Sequence, residues 1–178
     1  MSSPLEASRL VIRPFSEQDL PAIRSLFIRV NRALAPPELR DAFEHYIKLS
    51  LRDEIDVLAE AYDAARGHGF WVASGPEGIV GMVGLQRVNA GTAEIRRMYI
   101  DPAFRRQGLG RALLRHAEQC AKQLGYDALV LSTAEIQTAA IELYKAEGFT
   151  QTSVEVADAQ NVRTIGGGVR RFHFEKKL

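Results

Sequence analysis

The chain has 178 residues, enough for one compact domain over residues 1–178 with a sizeable core and short for two. A net charge of +1, with 46% apolar and 25% charged residues, excludes a global field that would draw the protein onto nucleic acid or an acidic membrane, though not a local basic patch. The lone Cys120 cannot form an intrachain disulfide, and no apolar run approaches the roughly 20 residues that span a bilayer.

Met1-Ser2-Ser3-Pro4-Leu5-Glu6 lacks the basic and apolar runs of a secretory leader, so a cytoplasmic protein is expected. Ser8 to Arg13 reads as a first strand stopped by Pro14. Ser16 with Asp19 is a helix-start signature, and Asp19 as N-cap would leave Pro21 harmless in the first turn. Leu20, Ile23, Phe27 and Val30 then form one apolar stripe. Ala35-Pro36-Pro37 breaks the chain. Leu39, Phe43, Tyr46 and Ile47 repeat at helical spacing, a second run holds Ile55, Leu58 and Tyr62, and Gly67-His68-Gly69 ends it.

From Phe70 the pattern changes to strands. Phe70–Ala73 and Ile79–Val88 flank Gly75-Pro76-Glu77-Gly78, which predicts a hairpin, and Thr92 to Ile100 is the next strand after Asn89-Ala90-Gly91. Residues 107–124 give the clearest helix, with Leu109, Leu113, Ala117, Cys120 and Leu124 on its apolar face and Arg111, Arg115, Glu118 and Lys122 opposite. Ala128 to Leu131 is a short buried strand, Ile136, Ala139, Ala140 and Leu143 mark another helix, and Phe149–Val156 and Val169–Phe174 are the last strands. The order implies a mixed α/β fold: a largely antiparallel sheet with one parallel crossover between Thr92 and Leu131, and helices on both faces.

A loop from Asp101 to Gly110 feeds the main helix. Free N–H groups and the helix dipole at such a junction favour an anion, and Gly108 and Gly110 would let phosphates approach the backbone. Arg105, Arg106 and Arg111 add positive charge. A dinucleotide fingerprint would need a third glycine, and a P-loop would need Gly-Lys-Ser/Thr; neither is present. Arg105, Gly108 and Gly110 satisfy R/Q-x-x-G-x-G/A, which could equally be a glycine turn before an ordinary helix.

Four segments occur in order: Met82-Val83-Gly84-Leu85, Glu94 to Pro102, Arg105 to Leu114, and Ala140 to Phe149. Together they resemble the GNAT superfamily of acetyl-CoA-dependent N-acetyltransferases, over roughly residues 8–178 and most specifically over 81–149. The resemblance implies a GNAT fold. It also implies acetyl-CoA as co-substrate, with the backbone of Met98, Tyr99 and Ile100 pairing with the pantetheine arm. The loop of Arg105, Arg106, Gln107, Gly108, Leu109 and Gly110, with Arg111, would hold the pyrophosphate. GNAT proteins often carry Asn seven residues before a tyrosine, and Gln137 stands in that place before Tyr144.

By strict alternation Glu94 and Arg96 share a face with Met98 and Ile100, a poor match of charged and apolar residues; a β-bulge near Arg96-Arg97 would re-aim them. The family typically carries such a bulge and splays the next strand away. An amine with pKa near 10 arrives protonated, so a base or a water chain must act. Glu94 is the best-placed carboxylate, or else a surface ion-pair partner of Arg96 or Arg97. Tyr144 would donate to the leaving thiolate, as the family's tyrosine commonly does, or simply pack beside Ala140. Met98 N–H would meet the developing oxyanion. His45, His68, His116 and His173 show no ligand spacing, so no metal is expected. The acceptor would be framed by Val30–Tyr46, Arg87–Gly91 and Ala157–Gly168. A small amine or amino acid is favoured. An acyl-CoA-binding module and a transferase acting on a protein N-terminus or another macromolecule are the alternatives, and a homodimer stays open.

Overall fold

Seven strands make one mixed sheet, and an apolar core lies on each of its faces. The computed structural model describes residues 10–178. The chain runs β1 (Val11–Pro14), α1 (Leu20–Leu34), α2 (Arg40–Ser50), a π-helical turn (Leu51–Ile55), α3 (Leu58–Ala61), β2 (Gly69–Gly75), β3 (Gly78–Arg87) and β4 (Thr92–Ile100). It continues through α4 (Leu109–Gln123), β5 (Ala128–Ala134), α5 (Thr138–Ala146), β6 (Thr150–Ala157) and β7 (Val169–Lys177). The sheet order is β1-β2-β3-β4-β5-β7-β6. Among the described residues only β4 and β5 pair in parallel, and α4 makes the crossover between them.

Several sequence expectations need adjustment. The first strand runs to Pro14 rather than stopping before it; Pro14 pairs with Trp71 on the sheet edge, where a missing N–H is tolerated. Ser8 and Arg9 lie outside the described residues. The fourth strand has the expected limits. β5 extends to Ala134, beyond Leu131, because it is zipped along its whole length to β7. Leu124 was expected on the buried face of α4, yet it is 48% exposed, whereas Leu114 and Ala121 are fully buried. The apolar stripe has drifted round by the last turn, as a 3.6-residue period requires.

Asp19 takes the N-cap position of α1 as expected, though its side chain makes no hydrogen bond to the helix, and Pro21 sits in the first turn. The Asp19 carboxylate accepts from Ser16 N–H at 2.8 Å and from Arg13 at 2.7 and 2.9 Å, tying β1 to the helix start. Ile23, Leu26, Phe27 and Val30 of α1 pack with Phe43, Tyr46 and Ile47 of α2 on one face of the sheet. Leu113, Leu114 and Ala117 of α4 pack with Tyr144, Phe149 and Phe174 on the other. Among the described residues no helix is long and apolar enough to cross a membrane.

Candidate active site

The parallel pairing of β4 with β5 is short. It holds from Thr92↔Ala128 to Glu94↔Val130 and then stops, although both strands continue. The two diverge, and a cleft opens through the sheet between them. Met98, Ala140 and Tyr144 line it on the α4–α5 face, Tyr46, Arg163 and Arg171 on the α1–α2 face.

The bulge in β4 falls where the sequence pattern required it. Gly84 faces Arg96 and Met82 faces Tyr99, so two residues, Arg97 and Met98, oppose Val83 alone. Arg97 takes a left-handed backbone, φ 51°. The extra residue shifts the alternation. Ala93, Ile95, Met98 and Ile100 all pack on the α4–α5 core, while Arg96, Arg97 and Tyr99 face the other side. Both arginines converge on Glu54 of the π-helical turn, Arg96 at 2.9 Å and Arg97 at 2.5 Å. Tyr62 also donates to Glu54. Burial alone would raise the Glu54 carboxyl, but the Arg97 hydrogen bond and the charges of Arg97 and Arg96 outweigh it and hold its pKa below the usual value.

The ion pair with Arg96 or Arg97 that stood as the alternative role for Glu94 is not formed, because both guanidinium groups turn to Glu54. Glu94 instead accepts from Arg163 Nη1 at 2.7 and 2.6 Å. Glu94 is the one carboxylate among the residues lining the cleft.

Tyr144 is 7% exposed, its ring set 6.0 Å from Phe149 and 6.1 Å from Phe174. Burial pushes its phenol up to about 12. Gln137 sits just before α5. Its Oε1 accepts from Thr133 Oγ1 at 2.5 Å and from Ala134 N–H at 3.3 Å, which leaves its amide N–H₂ as the group available to a ligand.

The loop before α4 opens at the same end of β4. Among the described residues the N–H groups of Gln107, Gly108 and Leu109 meet no acceptor, and the first turn of α4 adds its own free donors. The two glycines differ from the expectation of a shared role. Gly108 has φ 84° with open space where a side chain would be, so it supplies the left-handed turn. A Cβ at Gly110 would lie 2.9 Å from Ile100 Cδ1 and 3.1 Å from Leu143 Cδ2, so Gly110 lets the helix pack tightly on β4 and α5. Arg105 and Arg106 are exposed, and Arg111 and Arg115 share Glu147 at 2.6 and 2.8 Å. The Gln107 side chain turns back to Ala103 C=O at 3.1 Å. Among the described residues no cluster of His, Cys, Asp and Glu is arranged to hold a metal.

A profile of the acetyltransferase (GNAT) family matches residues 22–149. The chain belongs to this family. Human N-acetyltransferase 8 is 36% identical over 112 residues, which are 60% of this chain and 49% of that protein. The N-acetylaspartate synthetase of Danio rerio is 35% identical over 105 residues, 58% of this chain and 37% of that one. This chain thus spans about half the length, or less, of the relatives it matches. The ribosomal-protein-S18-alanine N-acetyltransferase of Escherichia coli superposes with a TM-score of 0.70 at 22% identity, covering 95% of this chain and 94% of that one. A GNAT acetyltransferase of Staphylococcus aureus gives 0.73 at 18%, over 95% and 99%. At these identities the likeness is one of fold.

The sequence singled out Glu94, the β4 strand, the loop before α4 and Tyr144, and did not single out Glu54, Arg163 or Arg171. Glu54 left a trace: it lies on one helical stripe with Leu58 and Tyr62, a carboxylate among apolar neighbours. Arg163 falls in the Ala157–Gly168 connection that the resemblance set beside the acceptor, though nothing singled it out there, and Arg171 left no trace. Arg163 reaches the cleft because the connection between β6 and β7 folds over it, and Arg171 because β7 lies beside β5. That connection is held by Arg97 Nη2 to Val162 C=O at 2.9 Å, and by Gln160 Nε2 to Ala42 C=O at 3.1 Å.

Proposed function

We propose that this chain transfers an acetyl group from acetyl-CoA to the primary amine of a small molecule or amino acid. The observation that carries the proposal is the gap beyond Glu94↔Val130, with a bulged β4 on one side, Tyr144 on the other, and a loop of unpartnered N–H groups at its end. Acetyl-CoA supplies an activated thioester. The β4 backbone of Met98, Tyr99 and Ile100 has no strand partner on the β5 side and suits an extended pantetheine arm. The N–H groups at residues 107–109, with Arg105, Arg106 and Arg111 nearby, suit its pyrophosphate.

In the transfer a C–N bond forms and the C–S bond breaks; an amine that arrives as the ammonium sheds two protons, one before attack and one after, of which one goes to solvent while one must reach the sulfur. Glu94 takes the amine proton, directly or through a water chain. Met98 N–H faces the developing oxyanion charge. Tyr144 at about 12 keeps its proton through neutral pH. Full transfer to a thiolate of pKa near 8.5 is uphill by about 5 kcal/mol. Its part is a hydrogen bond to the departing sulfur, with the proton arriving afterwards from solvent.

Acetyl-CoA should release thiol only when one class of amine is present, and Tyr144→Phe should slow that release. Binding of acetyl-CoA without release across a broad panel of amines, amino acids and peptides would leave a binding module instead. No binding at all would remove the proposal.

A further inference from the structure

The α1–α2 side of the cleft holds more cations than its own carboxylates consume. Arg96, Arg97, Arg163 and Arg171 line it. Arg96 and Arg97 share Glu54, and Arg163 holds Glu94. Arg171 is left over.

Arg171 is 7% exposed on β7, on the same face as Val169. Its Nη1 donates to Arg163 C=O and its Nη2 to Ser132 Oγ, but both acceptors are neutral. Its Nε makes no hydrogen bond and has only Glu155 Oε1 at 4.0 Å. Among the described residues the one carboxylate within reach is Glu155 at 4.0 Å, itself half-exposed and 3.4 Å from His173 Nε2. Burial pulls the Arg171 pKa below the ordinary arginine value, and the charges of Tyr46, Glu155 and Glu94 do not make up for it. A guanidinium buried this far is costly unless an anion completes its shell.

A second cavity adjoins the cleft and shares Tyr46, Ser132, Thr133, Gln137, Arg163 and Arg171 with it. Its far wall is Leu34, Phe43, Ile136 and Ile165. A charged anchor thus stands beside an apolar recess, both continuous with the gap that Tyr144 lines.

We infer, resting on the acetyl-transfer proposal above, that the acceptor is an amino carboxylate: Arg171 binds its carboxylate, and the adjoining recess takes an apolar side chain. The planar fork of Arg171 suits a carboxylate and sets the amine toward the thioester side. Selection arises because an uncharged analogue leaves the buried guanidinium unmatched.

The test uses the full chain and matched pairs, leucine with leucinamide and phenylalanine with phenylalaninamide, in steady-state thiol release from acetyl-CoA. Free acids should exceed their amides by about 100-fold in kcat/KM, mainly through KM. Amidation lowers amine basicity and raises the neutral fraction, which works against this preference and makes the comparison stringent. Arg171→Met should compress the ratio to under about threefold, and Arg171→Lys should restore part of it. Calorimetric binding of N-acetyl-leucine against N-acetyl-leucinamide reads the same site without turnover, with the acid tighter by at least about tenfold. Equal use of acids and amides by the wild-type chain, or equal binding, overturns the inference, as does an Arg171→Met chain that keeps the preference. If no amine releases thiol yet N-acetyl-leucine binding requires Arg171, the transfer proposal fails and the carboxylate site stands. If release proceeds regardless of the carboxylate, the reverse holds.

Discussion

Arg97 and Glu54, 43 residues apart in the chain, meet at 2.5 Å beneath the cleft, and neither side chain is more than 5% exposed. Arg97 also stacks over Phe27 and Tyr46 and donates to Tyr46 Oη at 2.8 Å. The pair therefore joins the bulge of β4 to the π-helical turn and to the α1–α2 core. Removing one charge strands the other in a dry site. Glu54→Gln should lower unfolding free energy by about 3 to 5 kcal/mol in urea titrations. A loss under 1 kcal/mol would mean that water reaches the pair.

Tyr144→Phe should cut kcat by about 100-fold, with the KM for acetyl-CoA nearly unchanged. The useful form of the phenol is the protonated one, present below its folded pKa of about 12. Wild-type kcat/KM should therefore rise with pH as the amine deprotonates and show no downturn below about pH 10. A downturn near pH 9 that vanishes in the Phe variant would show a much more acidic phenol.

The two loop glycines should respond differently to alanine. Gly108→Ala forces a side chain onto φ 84° and should cost about 1 kcal/mol in thermal unfolding while weakening acetyl-CoA binding. Gly110→Ala meets the flexible ends of Ile100 and Leu143, and helix propensity offsets part of the crowding. It should change stability by less than about 1 kcal/mol yet lower acetyl-CoA affinity by shifting the start of α4. Calorimetric titration of each variant with acetyl-CoA separates the two effects.

Asp19 has its pKa lowered from 3.8 to about 2, chiefly by the Arg13 hydrogen bond and against burial. A depressed carboxylate stabilises the fold above its unfolded pKa, and that gain disappears as pH falls from about 4 toward 2. Arg13 is 38% exposed, so the effect is discounted to about 1 kcal/mol. Asp19→Asn should lose that amount at pH 7 and be nearly indistinguishable from wild type at pH 2, read by chemical denaturation at both pH values.

The segment from β4 through the loop to α4 was legible because it is local. Thr92–Ile100, the loop and α4 follow one another, and periodicity with glycine placement reports such neighbours well. The clash of Glu94 and Arg96 with Met98 and Ile100 even announced the bulge. Pairings across long stretches of chain were not legible. Arg163 with Glu94 spans 69 residues, and Arg171 with Ser132 depends on β7 inserting between β5 and β6. No periodicity encodes such an insertion; the sheet order alone brings Arg171 to the cleft.

The bulge in β4 amounts to a parity device. One surplus residue swaps the faces of everything after it, sending Met98 and Ile100 inward beside Ala93 and Ile95, and Tyr99 toward α1. Substituting Arg97 removes a guanidinium and leaves that bookkeeping intact. Deleting it would hand each later side chain of the strand to the wrong side, charge-facing positions to oil and oily ones to charge. Length at this point in the strand is thus a stricter requirement than residue identity.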